Sequence, residues 1–256
     1  MPVRKAALRA LTTTLCAALL LAACTEAPPP APLRGAAGPP GDRDSVPQDR
    51  PAPRPQAAWV DRIPGVGPAT RAALPAASTQ ALVVLGETAT TNEATAVLYE
   101  RDAGRRWNRV AGPWPAHNAL RGWTADHVAG DLRSPIGVFR VGDAGGRLPD
   151  PGSLLPYDQD EEFAVQGTGF AGEPLEGSFD YVIAIDYNRI PGTTPLDKRR
   201  PLGAAKGGGV WIHVDHGGPT QACVSLAREV MPELLRALDP AKEPVIVMGP
   251  KADIAR

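Results

Sequence analysis

An excess of charge of either sign is missing from this chain. Its 256 residues carry a formal net charge of −1, and no basic stripe interleaved with aromatics occurs, so nucleic acid is not an expected partner. Long apolar runs are scarce as well. The run at 11–21 is too short to span a bilayer well, and no second membrane segment follows it. The glycines and proline of Ile63-Pro64-Gly65-Val66-Gly67 match no phosphate loop, because Lys and Ser/Thr are absent at the needed offsets. No cofactor is expected. Cysteine is rarer still: there are three, Cys16, Cys24 and Cys223.

What is present at the N-terminus explains two of those cysteines. Arg4, Lys5 and Arg9 make a basic start, an apolar run follows, and Leu21-Ala22-Ala23-Cys24 closes it with small residues. This ending resembles a bacterial lipobox, which implies a lipoprotein signal peptide over 1–23, cleavage before Cys24 and lipidation of its thiol. An ordinary secretory peptide cut after Ala23 is the alternative. Cys16 then leaves with the signal, Cys24 carries lipid, and Cys223 is the one free thiol of the mature chain. No disulfide within the chain is possible, and an unpaired thiol outside the cytoplasm is a liability unless it works.

The segment 24–57 is Pro, Ala, Arg and Asp with almost no large apolar residue, so it is expected to be a disordered tether. Fully extended, about 30 residues at ~3.1 Å each would hold the domain up to roughly 90 Å from the membrane. The expectation is a monomer attached to the outer face of the cell membrane through its N-terminal lipid, with a single domain over 58–256.

That domain reads as mainly β. Residues 79–86 (TQALVVLG) and 94–101 (ATAVLYER) look like paired strands, 107–114 continues the meander, and 138–141, 180–187 and 245–248 are further strands. Ser134-Pro135 is expected to bend the chain, and 148–171 to form a long surface loop bordering a cleft. Residues 190–209 read as loop. One strong helix is expected over about 228–238, where Val230, Leu234, Leu235 and Leu238 make an apolar face. Pro232 is tolerated if it falls in the first turn.

The chemistry concentrates in Gly207 to Leu226. Val210, Ile212 and Val214 alternate with Trp211, His213 and Asp215, so His213 should share a strand face with Trp211 and Asp215. Gly217-Gly218-Pro219 turns the chain back, and the ten residues from His213 to Cys223 suffice to bring imidazole near sulfur, the arrangement of an activated thiol. Such a base predicts a thiol that reacts below the ~8.5 of a free cysteine. Three other readings stay open here: a buried structural cysteine, a satisfied structural histidine, and a metal site made from His213, His216, Asp215 and Cys223. Strand alternation argues against the metal, since it sends His213 and His216 to opposite faces.

Together the pieces resemble the L,D-transpeptidase catalytic-domain (YkuD-like) family of bacterial wall enzymes. Ser134-Pro135-Ile136-Gly137-Val138-Phe139 is similar to its T/S-P-x-G-x-F signature, Val210-Trp211-Ile212-His213 to its histidine strand, and Thr220-Gln221-Ala222-Cys223-Val224 to its S/T-x-G-C element. The resemblance covers about residues 79–249. It implies a β-sandwich with mixed sheets and one principal helix after the cysteine. It also implies Cys223 as nucleophile, His213 as base, the Val214 carbonyl as the group orienting the imidazole, and the loop Thr220, Gln221, Ala222 with its backbone N–H groups around the oxyanion. The implied substrates are peptidoglycan stem peptides, joined by 3→3 cross-links through a thioester. A non-catalytic wall-binding lipoprotein of the same fold is the alternative. Two positions depart from the family pattern: Ala222 replaces its glycine, which costs energy if φ there is positive, and Gln221 replaces a histidine often found there.

Overall fold

The computed structural model describes residues 59–256. The expected signal peptide (1–23), lipidated Cys24 and tether (24–57) lie outside the described residues. Among those described, no helix is long and apolar enough to cross a membrane.

The domain is mainly β, as its sequence pattern predicts. Its strands are β1 (Gln80–Gly86), β2 (Glu93–Arg101), β3 (Trp107–His117), β4 (Trp123–Thr124), β5 (Ser134–Pro135), β6 (Gly137–Arg140), β7 (Ala144–Gly146), β8 (Tyr157–Gln159), β9 (Val182–Ala184), β10 (Trp211–Val214), β11 (Val224–Leu226) and β12 (Val245–Pro250). Ten of them form one mixed sheet in the order β6-β12-β1-β2-β3-β11-β10-β9-β7-β8, and β4 pairs with β5 separately. The pairs β1/β12, β10/β11 and β7/β8 are parallel. Leu82 of β1 and Ile246 of β12 pack into the same cluster as Ile183 of β9 and Ala144 of β7, so the sheet curls over a shared core.

β1 and β12 are covered on both faces. Leu82 and Val84 enter the larger core, while Ala81 and Val83 join Ile63, Val66, Trp107 and Ile254 in a smaller one on the other side. Burial on both sides is why these two strands are nearly continuous apolar runs. Three helices complete the domain: α1 (Pro68–Ala72), α2 (Val230–Ala237) and α3 (Lys251–Ile254). The principal one, α2, buries Val230, Met231, Leu234 and Leu235 in the larger core. Pro232 is its third residue, in the first turn, where a missing N–H forfeits no helical bond.

Three local expectations change. The strand expected over 180–187 shrinks to Val182–Ala184, because Asp180 is engaged by Arg147 and Arg228, and past Ala184 the chain leaves the ladder, Asp186 N–H turning to the Arg140 carbonyl. The loop over 148–171 contains β8 and a 3-10 turn at Glu161–Phe163, which buries Phe163. Between Cys223 and α2 a short strand, β11, intervenes; Val-Ser-Leu is too brief to announce itself by alternation.

Candidate active site

The register of β10 against β11 sets the site. Ile212 pairs with Val224, His213 with Ser225 and Val214 with Leu226. Ile212, Val214, Val224 and Leu226 all point into the larger core. The other face therefore collects Trp211, His213, Asp215, Ser225 and, one step before β11, Cys223. Cys223 stands level with Trp211, whose N–H donates to its Sγ at 3.4 Å. His213 lies two residues further along β10. With strands ~4.8 Å apart and ~3.3 Å rise per residue, such diagonal neighbours have Cα atoms roughly 8 Å apart. His213, Cys223, Thr220, Gln221 and Ala222 all line one cleft of about 650 Å³.

Cys223 is held from behind. Thr220 Oγ1 donates to the Cys223 carbonyl at 2.8 Å, and Ser134 Oγ donates to the same carbonyl at 3.2 Å while accepting from Ala119 N–H at 3.0 Å. Ser134 is wholly buried. Ser134-Pro135 forms β5 against Trp123 and Thr124, and this seats the hydroxyl under the cysteine. Ala222 is not among the residues with positive φ, so alanine there carries no left-handed strain.

Electrostatically the site rests as a neutral pair. Burial pushes the Cys223 thiol up to about 11, only partly offset by N–H groups of Trp211 and Ala222 aimed at the sulfur. The Sγ–H faces the Gly209 carbonyl at 3.8 Å. The direction runs against the expectation of a thiol that reacts below its usual range: the low-dielectric surroundings outweigh the amide dipoles, and no hydrogen bond joins thiol to imidazole. His213 is 3% exposed, and burial pushes its imidazolium down to about 4, so at neutral pH the ring is uncharged. Its Nδ1 contacts the Val214 carbonyl at 2.9 Å. Since a carbonyl only accepts, Nδ1 carries the proton and Nε2 keeps the free lone pair.

His213 and His216 are not on opposite faces. β10 ends at Val214, so alternation no longer governs residue 216, and the two rings stack with centroids 5.7 Å apart and planes 11° from parallel. Phe179 meets His213 edge-on at 5.2 Å and Trp211 at 5.1 Å. His216 Nδ1 lies 2.9 Å from Glu173 Oε1. Backbone N–H groups of Glu173 itself and Ala171, then His216, hold that carboxyl below its usual range. A Cβ on Gly169 or Gly218 would meet the Glu173 carboxylate, so a side chain at either position would have to displace it from His216.

Asp215 goes elsewhere. Its Oδ1 meets His117 Nδ1 and Ser225 Oγ, each at 2.9 Å. Burial opposes its charge, yet these hydrogen bonds keep its carboxyl below the usual range. Serine and histidine both address the carboxylate and not each other, so this is no serine-histidine relay. Among the described residues, no three His, Cys, Asp or Glu side chains gather as a metal ligand set.

Sequence reasoning missed Ser134 as a support, Glu173, and the cleft residues Phe179, His127 and Arg200. The Gly207-Gly208-Gly209 run was the available signal for Arg200, because a Cβ on Gly208 would collide with Arg200 Nε and Cδ. Comparison of the chain with protein-family models, with curated proteins and with solved structures gives no match.

Proposed function

We propose that this chain is a cysteine acyltransferase of the L,D-transpeptidase type acting on peptidoglycan stem peptides. One observation carries the reading: Cys223 and His213 open into the same cleft from one sheet face, with Val214 fixing the tautomer that leaves Nε2 free to take a proton. In the proposed reaction the thiol proton passes to His213 as Sγ attacks the carbonyl before the terminal D-Ala. N–H groups of the 220–223 loop hold the oxyanion. Collapse expels D-Ala, whose nitrogen takes the proton back from His213, and an amine of a second stem resolves the thioester into a 3→3 cross-link. With a thiol this far from ionised, the nucleophile is generated during attack instead of being stored as thiolate, which makes the base indispensable. A lipidated Cys24 and the proline-rich tether would present the domain to the wall from the outer membrane face of the cell.

The test is intact-mass analysis after incubation with a tetrapeptide stem: one acyl adduct on Cys223 with release of D-Ala, absent in Cys223→Ala. A carbapenem should leave a single adduct at the same residue. The absence of a thiol–imidazole hydrogen bond favours a second reading, a non-catalytic wall-binding domain; stem-peptide binding without adduct or D-Ala release would mark it.

A further inference from the structure

The cleft is electrostatically one-sided. Its charged lining residues are Lys198 and Arg200, and among the described residues no Asp or Glu lines it. In a chain of net charge −1 this local imbalance needs a reason. Arg200 donates only to backbone carbonyls, those of Asp197 and Arg199 at 2.8 Å each, and neither it nor Lys198 pairs with a carboxylate among the described residues. The nearby acid, Asp197, is taken by Arg199. The guanidinium lies over Gly208 and Gly209, whose φ angles of +141° and +67° and lack of side chains allow the approach. Gly209 is the residue whose carbonyl faces the Cys223 thiol.

The loop that carries Arg200 is pre-arranged. Asn188 donates from Nδ2 to the carbonyls of Gly203 and Gly207 at 3.0 and 2.6 Å and accepts from Leu202 N–H at 2.7 Å. The Tyr187 hydroxyl donates to the Lys206 carbonyl at 2.9 Å. A fixed, half-buried guanidinium without an anionic partner, set beside a nucleophile, suits bidentate capture of a carboxylate.

We propose that Arg200, assisted by Lys198, forms a carboxylate subsite that orients the peptide donor against Cys223. The substrate named here rests on the acyl-transfer reading; the site rests on the cleft's own charge. Beside the scissile bond of a stem peptide two carboxylates have this chemistry: that of the terminal residue and, where the preceding diamino acid carries one, that on its side chain.

The first experiment is independent of transpeptidation. In the full chain, Cys223 is alkylated by iodoacetate and by iodoacetamide, reagents of similar size that differ in charge; in each the thiolate displaces iodide, an S–CH2 bond forms and the thiol proton goes to solvent. The iodoacetate/iodoacetamide rate ratio should exceed that of a free cysteine peptide and fall about fivefold in Arg200→Gln, less in Lys198→Gln, with Arg200→Lys retaining most of it. Should Arg200→Gln fold poorly, added salt in the wild type should lower the ratio by screening. A ratio indifferent to both overturns the proposal. The second experiment compares acylation by the tetrapeptide as free acid, as C-terminal amide and with its side-chain carboxylate amidated. The amide that erases the difference between wild type and Arg200→Gln identifies the carboxylate held; equal rates for all three overturn the subsite. If no peptide acylates Cys223, the transpeptidase reading fails, and the alkylation ratio alone decides the subsite.

Discussion

The two halves of the large sheet use the same strand geometry for opposite ends. In β12 and β1 both faces are largely apolar and buried, so their side chains contribute to cohesion and none lines the cleft. In β10 and β11 only one face does so; the other is given to Trp211, His213, Ser225 and the adjoining Asp215 and Cys223. The domain can hold a buried histidine and an unpaired thiol in place because the doubly covered strands supply cohesion that the site does not. Substitutions in the two halves should therefore separate stability from chemistry.

The largest expected effect is on chemistry alone. Cys223→Ala should abolish acylation and D-Ala release while changing unfolding free energy by about 1 kcal/mol or less, since it removes one small side chain. His213→Ala should lower the acylation rate at least ~10²-fold, and the double variant should be no slower than Cys223→Ala, because the two serve one step. Leu82→Ala should do the reverse, costing ~2–5 kcal/mol in urea unfolding with the acylation rate per folded molecule retained. An equal loss of stability in Cys223→Ala and Leu82→Ala would break the contrast.

The next effect depends on pH. His213 titrates near 4 in the folded domain and near 6.5 when unfolded. Between those values the unfolded chain binds the extra proton, so stability is full above about 6.5 and falls as pH drops toward 4, by roughly 3 kcal/mol in all. Urea unfolding at pH 7, 6, 5 and 4 should show this slope in the wild type and lose most of it in His213→Gln. The thiol gives the complementary check: its iodoacetamide reactivity should rise toward pH 11, well past the midpoint of a free cysteine. A midpoint below 8.5 would restore the activated-thiolate picture.

How far these features were legible in the sequence follows from what made them. β1 and β12 announced themselves as continuous apolar runs, since both their faces are buried, and β2 and α2 by the period that one-sided burial leaves in the sequence. Cys223 and His213 stood out by residue type and spacing, and their placement on one face followed from register that alternation could suggest. His216 was misplaced because period-2 logic was carried past Val214, where the strand ends. Ser134 lies 89 residues from Cys223, Glu173 43 from His216 and Arg200 23 from Cys223, in loops or two-residue strands without periodicity. Ser134 was marked only as the first residue of the Ser134–Phe139 signature, and only the glycines hinted at the other two, since Gly169, Gly208 and Gly218 mark where Glu173 and Arg200 press against backbone.

A smaller effect tests the support under Cys223. Ser134→Ala should strand the buried Ala119 N–H and leave the Cys223 carbonyl to Thr220 alone. The expected cost is about 1–3 kcal/mol of stability by urea unfolding, together with slower acylation. Ser134→Thr should recover part of both. Unchanged stability in Ser134→Ala would show that the hydroxyl is dispensable to this half of the sheet.

The smallest expected effect concerns Ala222, where the sequence departs from the glycine of the resembled family. If alanine were a defect, glycine should rescue it. Yet Ala222 has no positive φ, its N–H already leans on the Cys223 sulfur, and its side chain packs at the margin of the larger core. Glycine would remove that contact and loosen the backbone that presents the thiol, a change worth about 0.5–1 kcal/mol against the fold. Ala222→Gly should thus leave acylation equal to or slightly slower than wild type, with the thiol's alkylation profile unmoved. A several-fold gain in acylation would show that the loop needs a backbone conformation other than the one it adopts here, and that the alanine holds the site back.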